Sequence, residues 1–166
     1  MISRRPPMSM MVQYAAAGDD LPARPLLRRW VQAALGADAV GMTVVLRFVE
    51  EAESRALNRR HRRKDRPTNV LSFVYDDEHG ALRGDLVLCA PVLRREAVQQ
   101  GKPFAAHCAH LVVHGMLHLQ GYGHERAAEA ARMEALEIAI LAELGFADPY
   151  AAQPAPAKRL SRPGRR

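Results

Sequence analysis

The chain is organised around residues 107–125, HCAHLVVHGMLHLQGYGHE. His114 and His118 are four residues apart in this stretch, Gly121 follows three residues later, and His124 three residues after that. On an α-helix, residues four apart share a face and lie roughly 6 Å apart along the axis, so their two imidazoles can bind one metal ion. Gly121 has no Cβ and can end the helix in a left-handed conformation. The turn is then expected to bring His124 towards the other two.

Three histidines in this pattern indicate a zinc site. Three neutral imidazoles with one open position form the ligand set of many catalytic zinc sites, whereas structural sites have four protein ligands and favour cysteine. The sequence therefore predicts one zinc ion per chain, bound by His114, His118 and His124. Two further histidines, His107 and His110, precede them, but no spacing argument makes them ligands. We expect them to pack or to hydrogen-bond to the ligands.

The spacing HxxxHxxGxxH is also that of the metzincin metalloproteases, with one omission. Those enzymes read HExxHxxGxxH, and the glutamate is the general base. The corresponding residue here is Gly115, which cannot accept a proton. A metzincin-like peptidase therefore remains an alternative that needs another base, whereas a zincin-like metal site is expected in either case. Zinc can still make a bound water acidic, with a pKa near 7 in favourable sites.

A basic segment lies upstream at residues 59–66, RRHRRKDR, with six arginines and lysines against the single acid Asp65. Such a run is commonly a solvated surface. Its position between a helix and a strand favours phosphate binding, because the planar guanidinium group pairs with two phosphate oxygens at once. Arg59, Arg63 and Lys64 are the predicted substrate contacts. Contacts of this kind hold RNA without reading its base sequence.

Hydrophobic periodicity predicts an α+β fold, with a single mixed β-sheet of about four strands packed against about five helices. The turn-rich stretch after the third strand indicates a hairpin-like return into the fourth. The predicted strands are 8–16, 42–49, 69–75 and 85–90, and the predicted helices are 25–36, 50–62, 91–98, 103–120 and 125–144.

Composition predicts a soluble cytoplasmic protein. The 166 residues are 48% hydrophobic and 25% charged, as expected for one domain with a real core. No window is long and apolar enough for a membrane helix, and prolines near the start disfavour a signal peptide. Cys89 and Cys108 have no CxxC spacing, so they are expected to be free thiols in a reducing compartment.

The net charge of +6 is concentrated at the ends of the chain. Residues 1–7 and 151–166 contain seven arginines and lysines and no acid, which leaves 17 basic and 18 acidic residues for 8–150. We therefore predict a flexible extension, one folded domain at 8–150 and a disordered basic tail. The ends are interpreted either as solubilising or as attracted to RNA phosphates.

HGMLHLQGYGHE, together with LNRRHRRKDRPTNVLSF and GDLVLC upstream, resembles the YbeY family of single-domain bacterial zinc endoribonucleases. The resemblance covers about residues 10–150. It implies a role in 16S ribosomal RNA 3′-end maturation and ribosome quality control, with ribosomal RNA and the ribosomal subunit or its associated proteins as partners. It also identifies His114, His118 and His124 as the zinc ligands. Arg62 matches the basic residue of the family pattern LNxxxR.

The resemblance is incomplete at Gly123, where the family commonly has aspartate in GYDH. A carboxylate there could orient a ligand or move protons. Glu125 is the nearby acid that could replace it. Asp85, in GDLVLC, is interpreted as either a structural carboxylate or one that contacts the ligands.

These residues predict metal-assisted cleavage of an RNA phosphodiester. His114 would act through the metal, and Arg62 would stabilise negative charge on the transition state. Water and a ribose 2′-hydroxyl are both compatible nucleophiles. A noncatalytic ribosome-associated module with a structural zinc ion is the remaining alternative.

Overall fold

The computed structural model describes residues 8–36, 41–76 and 82–151 and has the predicted α+β architecture. The predicted extension at 1–7 and nearly all of the predicted tail lie outside the described residues. Among the described residues, four strands and five helices are present. The strands are β1 (Ser9–Ala15), β2 (Thr43–Val49), β3 (Val70–Asp76) and β4 (Leu82–Cys89), and the helices are α1 (Arg24–Ala34), α2 (Glu51–Arg62), α3 (Ala90–Gln100), α4 (Phe104–Leu119) and α5 (Ala127–Glu143).

The sheet is mixed, with the strand order β1-β2-β4-β3. Strands β1, β2 and β4 are parallel, and β3 runs antiparallel to β4, which confirms the predicted return. Strand β4 begins at Leu82, three residues before the predicted start at Asp85. The extra residues are held by pairing on both sides, since Arg83 lies opposite Thr43 of β2 and Tyr75 of β3.

Helix α4 is the central helix of the domain, and apolar residues surround most of it. A helix that is hydrophobic on nearly all sides must be buried, and α4 packs against β3 and β4 as well as α1, α3 and α5. Glycine allows α4 to approach β4 closely. A Cβ at Gly84 would lie 2.5 Å from Leu119 Cδ1, and one at Gly115 would lie 2.7 Å from Leu86 Cδ2.

Successive side chains of each strand point to opposite faces of the sheet, and the apolar ones form one hydrophobic cluster on each face. Leu46, Leu86 and Leu88 face the larger cluster, which contains residues of α1, α4 and α5. Val87 and Cys89 belong to the smaller cluster on the other face, where Leu57 of α2 and Val92 of α3 pack. Both cysteines are buried free thiols, as predicted.

Helix α1 ends at Ala34 rather than at the predicted Gly36. The cause is Gln120, at the end of α4. Its amide donates to the Ala34 carbonyl at 2.7 Å and accepts from the Gly36 N–H at 2.7 Å. The end of α1 is therefore tied to the end of the histidine-bearing helix. No helix in the described part of the chain is long and apolar enough to cross a membrane.

Candidate functional site

The three predicted ligand histidines lie together where α4 ends. His114 and His118 are on consecutive turns of the helix, and His124 is in the loop between α4 and α5. Gly121 has a φ of 94°, and its N–H donates to the His118 carbonyl at 3.0 Å. This left-handed residue turns the chain back, as predicted. The ring centroids of His118 and His124 are 4.9 Å apart, and those of His114 and His124 are 6.1 Å apart.

His114 and His118 form a pair whose Nε2 atoms are 3.0 Å apart. Two imidazole nitrogens on one tetrahedral zinc ion at 2.0–2.1 Å would be separated by about 3.3 Å, and their ring centroids by about 5 Å. The ring centroids of His114 and His118, at 4.5 Å, and of His118 and His124, at 4.9 Å, are close to this spacing, whereas those of His114 and His124 are farther apart, at 6.1 Å. Among residues 8–36, 41–76 and 82–151, however, no group of three or more His, Cys, Asp or Glu side chains is already arranged around a common point as metal ligands are. Two imidazoles are thus preorganised, and the third is adjacent.

A cleft of about 610 Å³ opens beside the histidines. Burial lowers the pKa of His118, and the neighbouring His114 and His124 lower it further. A neutral imidazole is the form that binds a metal, so the surroundings of His118 favour the competent form. The cleft is lined by Gly36, Leu82, His118, Gln120, Gly121, Tyr122, Gly123, His124, Glu125, Glu129 and Arg132.

A carboxylate that the sequence analysis did not identify contacts His114. Glu137 of α5 is completely buried, and its Oε1 lies 2.5 Å from His114 Nδ1. Its Oε2 lies 3.1 Å from His110 Nε2 and accepts a hydrogen bond from the Tyr150 hydroxyl. Burial by itself would raise the pKa of Glu137, but the hydrogen bonds from His110, His114 and Tyr150 outweigh it and lower the pKa to about 2.

The two remaining histidines of α4, His107 and His110, precede His114 on the helix. His110 contacts Glu137 and Tyr150, in keeping with the expected contact to the ligand network. His107 is 2% exposed, and its Nε2 lies 3.1 Å from Glu96 Oε1. Burial lowers the pKa of His107 despite this carboxylate. Its role is packing within the domain.

Gly123 has a carboxylate next to it, although it is not the one expected. A Cβ at position 123 would lie 3.2 Å from Glu129 Oε2, so the Glu129 side chain occupies the space beside the glycine. Glu125, the predicted replacement, lines the same cleft and is exposed. Arg132, three residues after Glu129 on α5, also lines the cleft, and its guanidinium lies 5.8 Å from the centre of the Tyr122 ring. The cleft therefore contains both acidic and cationic groups.

The basic segment is half helix and half loop. Arg59 to Arg62 form the last turn of α2, and Arg63 ends the helix in a left-handed conformation with a φ of 58°. Two buried polar residues of α2 hold the following loop. Asn58 Nδ2 donates to the Arg66 carbonyl at 2.8 Å, and the Ser54 hydroxyl donates to the Thr68 carbonyl at 3.0 Å.

The only acid of the segment, Asp65, is paired with Arg55 of α2, which precedes the segment. Asp65 accepts two hydrogen bonds from Arg55, at 2.7 and 3.0 Å. These bonds lower the pKa of Asp65, so it stays ionised and paired. Arg59, Arg63 and Lys64 are all exposed, as a phosphate-binding surface requires, and their contact with substrate stays a prediction.

Arg62 lies at the edge strand β3. Its Nη2 donates to the Ser72 carbonyl at 3.0 Å, and its guanidinium lies 5.5 Å from the centre of the Phe73 ring. Ser72 is directly opposite Leu86 of β4, and Leu86 packs beneath Gly115 of α4. The Ser72 carbonyl is therefore one strand away from the part of β4 that lies under Gly115. Phe73 packs against the smaller cluster, where α2 packs, so Arg62 approaches the edge strand from the face opposite α4.

Asp85 lies on the side of β4 that faces away from α4. Its neighbours Gly84 and Leu86 approach α4, and alternate residues of a strand point to opposite faces. Burial raises the pKa of the Tyr75 hydroxyl, and the adjacent Asp85 adds to that effect. This placement favours the structural interpretation of Asp85. The carboxylate in contact with the predicted ligand His114 is Glu137 instead.

Comparisons with known proteins agree with the fold and the motifs. The family model "Endoribonuclease YbeY" matches residues 19–145. Proteins named Endoribonuclease YbeY are similar to this chain. The one from Aromatoleum aromaticum is 55% identical, with 87% of this chain and 93% of that protein covered. The one from Herminiimonas arsenicoxydans is 51% identical, with 86% and 95% covered.

A solved structure shares the fold. The solution structure of TM1509 from Thermotoga maritima matches with a TM-score of 0.51 at 23% identity, covering 88% of this chain and 99% of that one. The fold, the arrangement of motifs and the similarity along most of the sequence lead to one conclusion: the chain belongs to the Endoribonuclease YbeY family.

Proposed function

We propose that this protein is a zinc-dependent endoribonuclease that cleaves RNA phosphodiester bonds. The single observation that carries the proposal is the pair of imidazole nitrogens of His114 and His118, 3.0 Å apart beside a cleft and close to His124. The names of the similar proteins support the RNA substrate. Bound zinc would polarise a phosphoryl oxygen or lower the pKa of a water molecule.

Different residues of the chain would bind the metal, the scissile phosphate and the RNA backbone. His114, His118 and His124 would hold the ion. Arg62 would bind the non-bridging phosphate oxygens, where negative charge increases in the transition state. The exposed Arg59, Arg63 and Lys64 would hold the RNA backbone, and Tyr122 in the cleft offers a ring for base stacking. The end groups of the product identify the nucleophile, since attack by the ribose 2′-hydroxyl leaves a 2′,3′-cyclic phosphate.

Peptide hydrolysis is disfavoured by the orientation of position 115. A side chain at Gly115 would point at Leu86 in the core and not into the cleft. The position of the metzincin base is therefore buried against the sheet, and peptidase chemistry would need a different residue.

RNA cleavage by the zinc-loaded protein tests the proposal, with His114→Ala as the inactive variant and Glu143→Gln as the matched control. Glu143 is an exposed residue at the end of α5. We expect the wild type and Glu143→Gln to cleave structured RNA, to stop on chelation, and to recover when zinc is restored. Equal cleavage by His114→Ala would indicate a contaminating nuclease and overturn the proposal.

Two other outcomes would replace the proposal with an alternative. RNA or ribosome binding that survives chelation, without cleavage by the wild type, would indicate the noncatalytic module. Cleavage of a peptide library that requires zinc and His114, with intact RNA, would indicate the peptidase.

We further propose that the substrate is 16S ribosomal RNA near its 3′ end, that the protein acts in ribosome quality control, and that this takes place in the cytoplasm. The cationic end of α2 supports a phosphate-rich partner. Incubation with precursor 16S RNA, free and in small ribosomal subunits, should produce cleavage near the 3′ end. Indiscriminate cutting along the whole RNA, in subunits as well as free, would contradict the assignment.

A further inference from the structure

The buried carboxylate of Glu137 lies within hydrogen-bond distance of three side chains that can donate. His114 Nδ1 reaches Oε1 at 2.5 Å, and His110 Nε2 and the Tyr150 hydroxyl both reach Oε2. Glu137 is 0% exposed, so water does not solvate its charge. A buried ion is tolerated only when hydrogen bonds replace its hydration. The three donors meet that requirement.

The tautomers of the two histidines follow from this arrangement. An ionised carboxylate can only accept, so each ring nitrogen that contacts Glu137 carries a proton. His114 then has its proton on Nδ1 and an unprotonated Nε2. His110 has its proton on Nε2, in agreement with its Nδ1, which is buried and has no hydrogen-bond partner in the part of the chain that the structure describes.

The unprotonated Nε2 of His114 faces His118, the second predicted ligand, and accepts a hydrogen bond from its Nε2–H in the absence of metal. His114 Nε2 lies 3.0 Å from His118 Nε2, on the side of the ring opposite Glu137. A carboxylate on the far nitrogen of a metal-binding histidine fixes the tautomer, holds the ring orientation and increases the basicity of the ligand. Glu137 has the geometry for all three effects.

The segment after α5 completes this network. The Tyr150 N–H donates to Asp148 Oδ1 at 2.8 Å, and Lys102 Nζ donates to the Pro149 carbonyl at 2.7 Å. These bonds hold the segment against the α3–α4 junction, where the Tyr150 hydroxyl reaches Glu137. Burial and the contact with the Glu137 carboxylate both raise the pKa of Tyr150, so the hydroxyl remains a donor.

We propose that Glu137, supported by His110 and Tyr150, is a positioning residue that fixes His114 as the Nδ1–H tautomer with Nε2 ready to bind metal. The inference deepens the proposed function and rests on it for the identity of the metal. Glutamine cannot replace the carboxylate, because its NH₂ group would face at least one of the three donors.

The test uses the full chain and compares Glu137→Gln with Glu143→Gln, an exposed position on the same helix. Nitrogen-15 NMR of the metal-free proteins reports the His114 tautomer. Competition titration with zinc reports the affinity. We expect the Nδ1–H form in the wild type and in Glu143→Gln, and its loss in Glu137→Gln, with zinc affinity weakened about 10- to 100-fold.

Tyr150→Phe serves as the second variant, should Glu137→Gln fail to fold. It removes one donor and leaves the carboxylate on His114. We expect a smaller loss of zinc affinity, of about two- to tenfold, with the His114 tautomer retained. If Glu137→Gln folds and binds zinc as tightly as the wild type, the proposal is overturned. If only Tyr150→Phe folds, wild-type zinc affinity in that variant overturns it.

The failure of this inference is distinguishable from the failure of the proposed function. A protein whose zinc affinity depends on Glu137 but which leaves RNA intact refutes the endoribonuclease proposal and upholds the positioning role. If the protein cleaves RNA with zinc, and Glu137→Gln changes neither the His114 tautomer nor the zinc affinity, the endoribonuclease proposal stands and the positioning role is refuted.

Discussion

Leu86 of β4 fills the space that a side chain at Gly115 of α4 would need. A Cβ at Gly115 would lie 2.7 Å from Leu86 Cδ2 and 3.1 Å from Leu86 Cδ1. This contact sets the distance between the histidine-bearing helix and the sheet. It also makes position 115 part of the core, although it follows directly after His114 in the sequence.

Gly115→Ala should lower the free energy of unfolding by about 1–3 kcal/mol, the usual cost of overpacking a core. Gly115→Glu should cost more, because it buries a charge among apolar groups, and it should not create peptidase activity. Urea denaturation and a peptide-cleavage assay measure the two effects. A folded Gly115→Glu variant with zinc-dependent peptidase activity would show that this position reaches the cleft.

Gly121→Ala and Gly123→Ala should differ in their effect on stability. Gly121 has a φ of 94° with nothing within 4 Å of its Cβ position, so alanine there costs backbone strain alone, about 1–2 kcal/mol. At Gly123 the nearest atom is the end of the Glu129 side chain, at 3.2 Å, which can move aside. We expect Gly123→Ala to change stability by less than about 0.5 kcal/mol in the same urea experiment. Equal losses would argue against the left-handed turn.

The sequence was sufficient to predict α4 and the approach of three histidines, because spacing on a helix is a local property. Residues four apart on one helix meet in any fold that keeps the helix. The sheet was predicted for a similar reason, since alternation of apolar residues is visible within one strand. Contacts between distant segments were not predictable in this way.

The sequence did not predict the contact between Glu137 and His114, although it contained a signal that Glu137 is buried. It is 23 residues from His114 in sequence, so no local pattern connects them. It does lie four residues after Met133 and four before Leu141, both of which are buried. An acid in the middle of an apolar helical stripe must have hydrogen-bond partners. This rule indicates that Glu137 has partners, but it does not identify them as His110, His114 and Tyr150. The placement of Asp85 required the register of β4, which only the structure supplies.

Acid should destabilise the protein in part through His107. Burial lowers the pKa of His107 in the folded state below its usual value of 6.5, with Glu96 opposing and His110 and Lys102 adding to the effect. The unfolded chain therefore binds more protons, so the stability contributed by neutral His107 is present above pH 6.5 and is lost as pH falls through the folded-state pKa.

The measurement is the free energy of unfolding between pH 7.5 and pH 5 for the wild type and His107→Gln, both with a chelator present. His118 also has a lowered pKa and contributes in the same direction, so the difference between the two proteins isolates His107. We expect a shallower pH dependence in His107→Gln. Parallel curves would contradict a neutral buried His107.

Zinc should stabilise the folded protein, because the unfolded chain lacks the assembled histidines. Free zinc at 100 times its dissociation constant adds about 2.7 kcal/mol. His118→Ala should lose most of this increment, whereas His61→Ala should keep it, because His61 is exposed on α2 and packs on Phe73. Thermal unfolding with and without zinc provides the comparison. Stabilisation of His118→Ala as large as that of the wild type would place the metal elsewhere.

The metal site on α4 and the phosphate-binding arginine at the end of α2 are proposed to act together on one RNA. Zinc content and RNA cleavage are measured on the same samples of wild type, Arg62→Ala and the exposed control Arg29→Ala. We expect equal zinc in all three proteins, wild-type cleavage by Arg29→Ala, and cleavage reduced about 100-fold or more in Arg62→Ala. Cleavage by Arg62→Ala at the wild-type rate, with its zinc intact, would show that Arg62 has no part in the reaction.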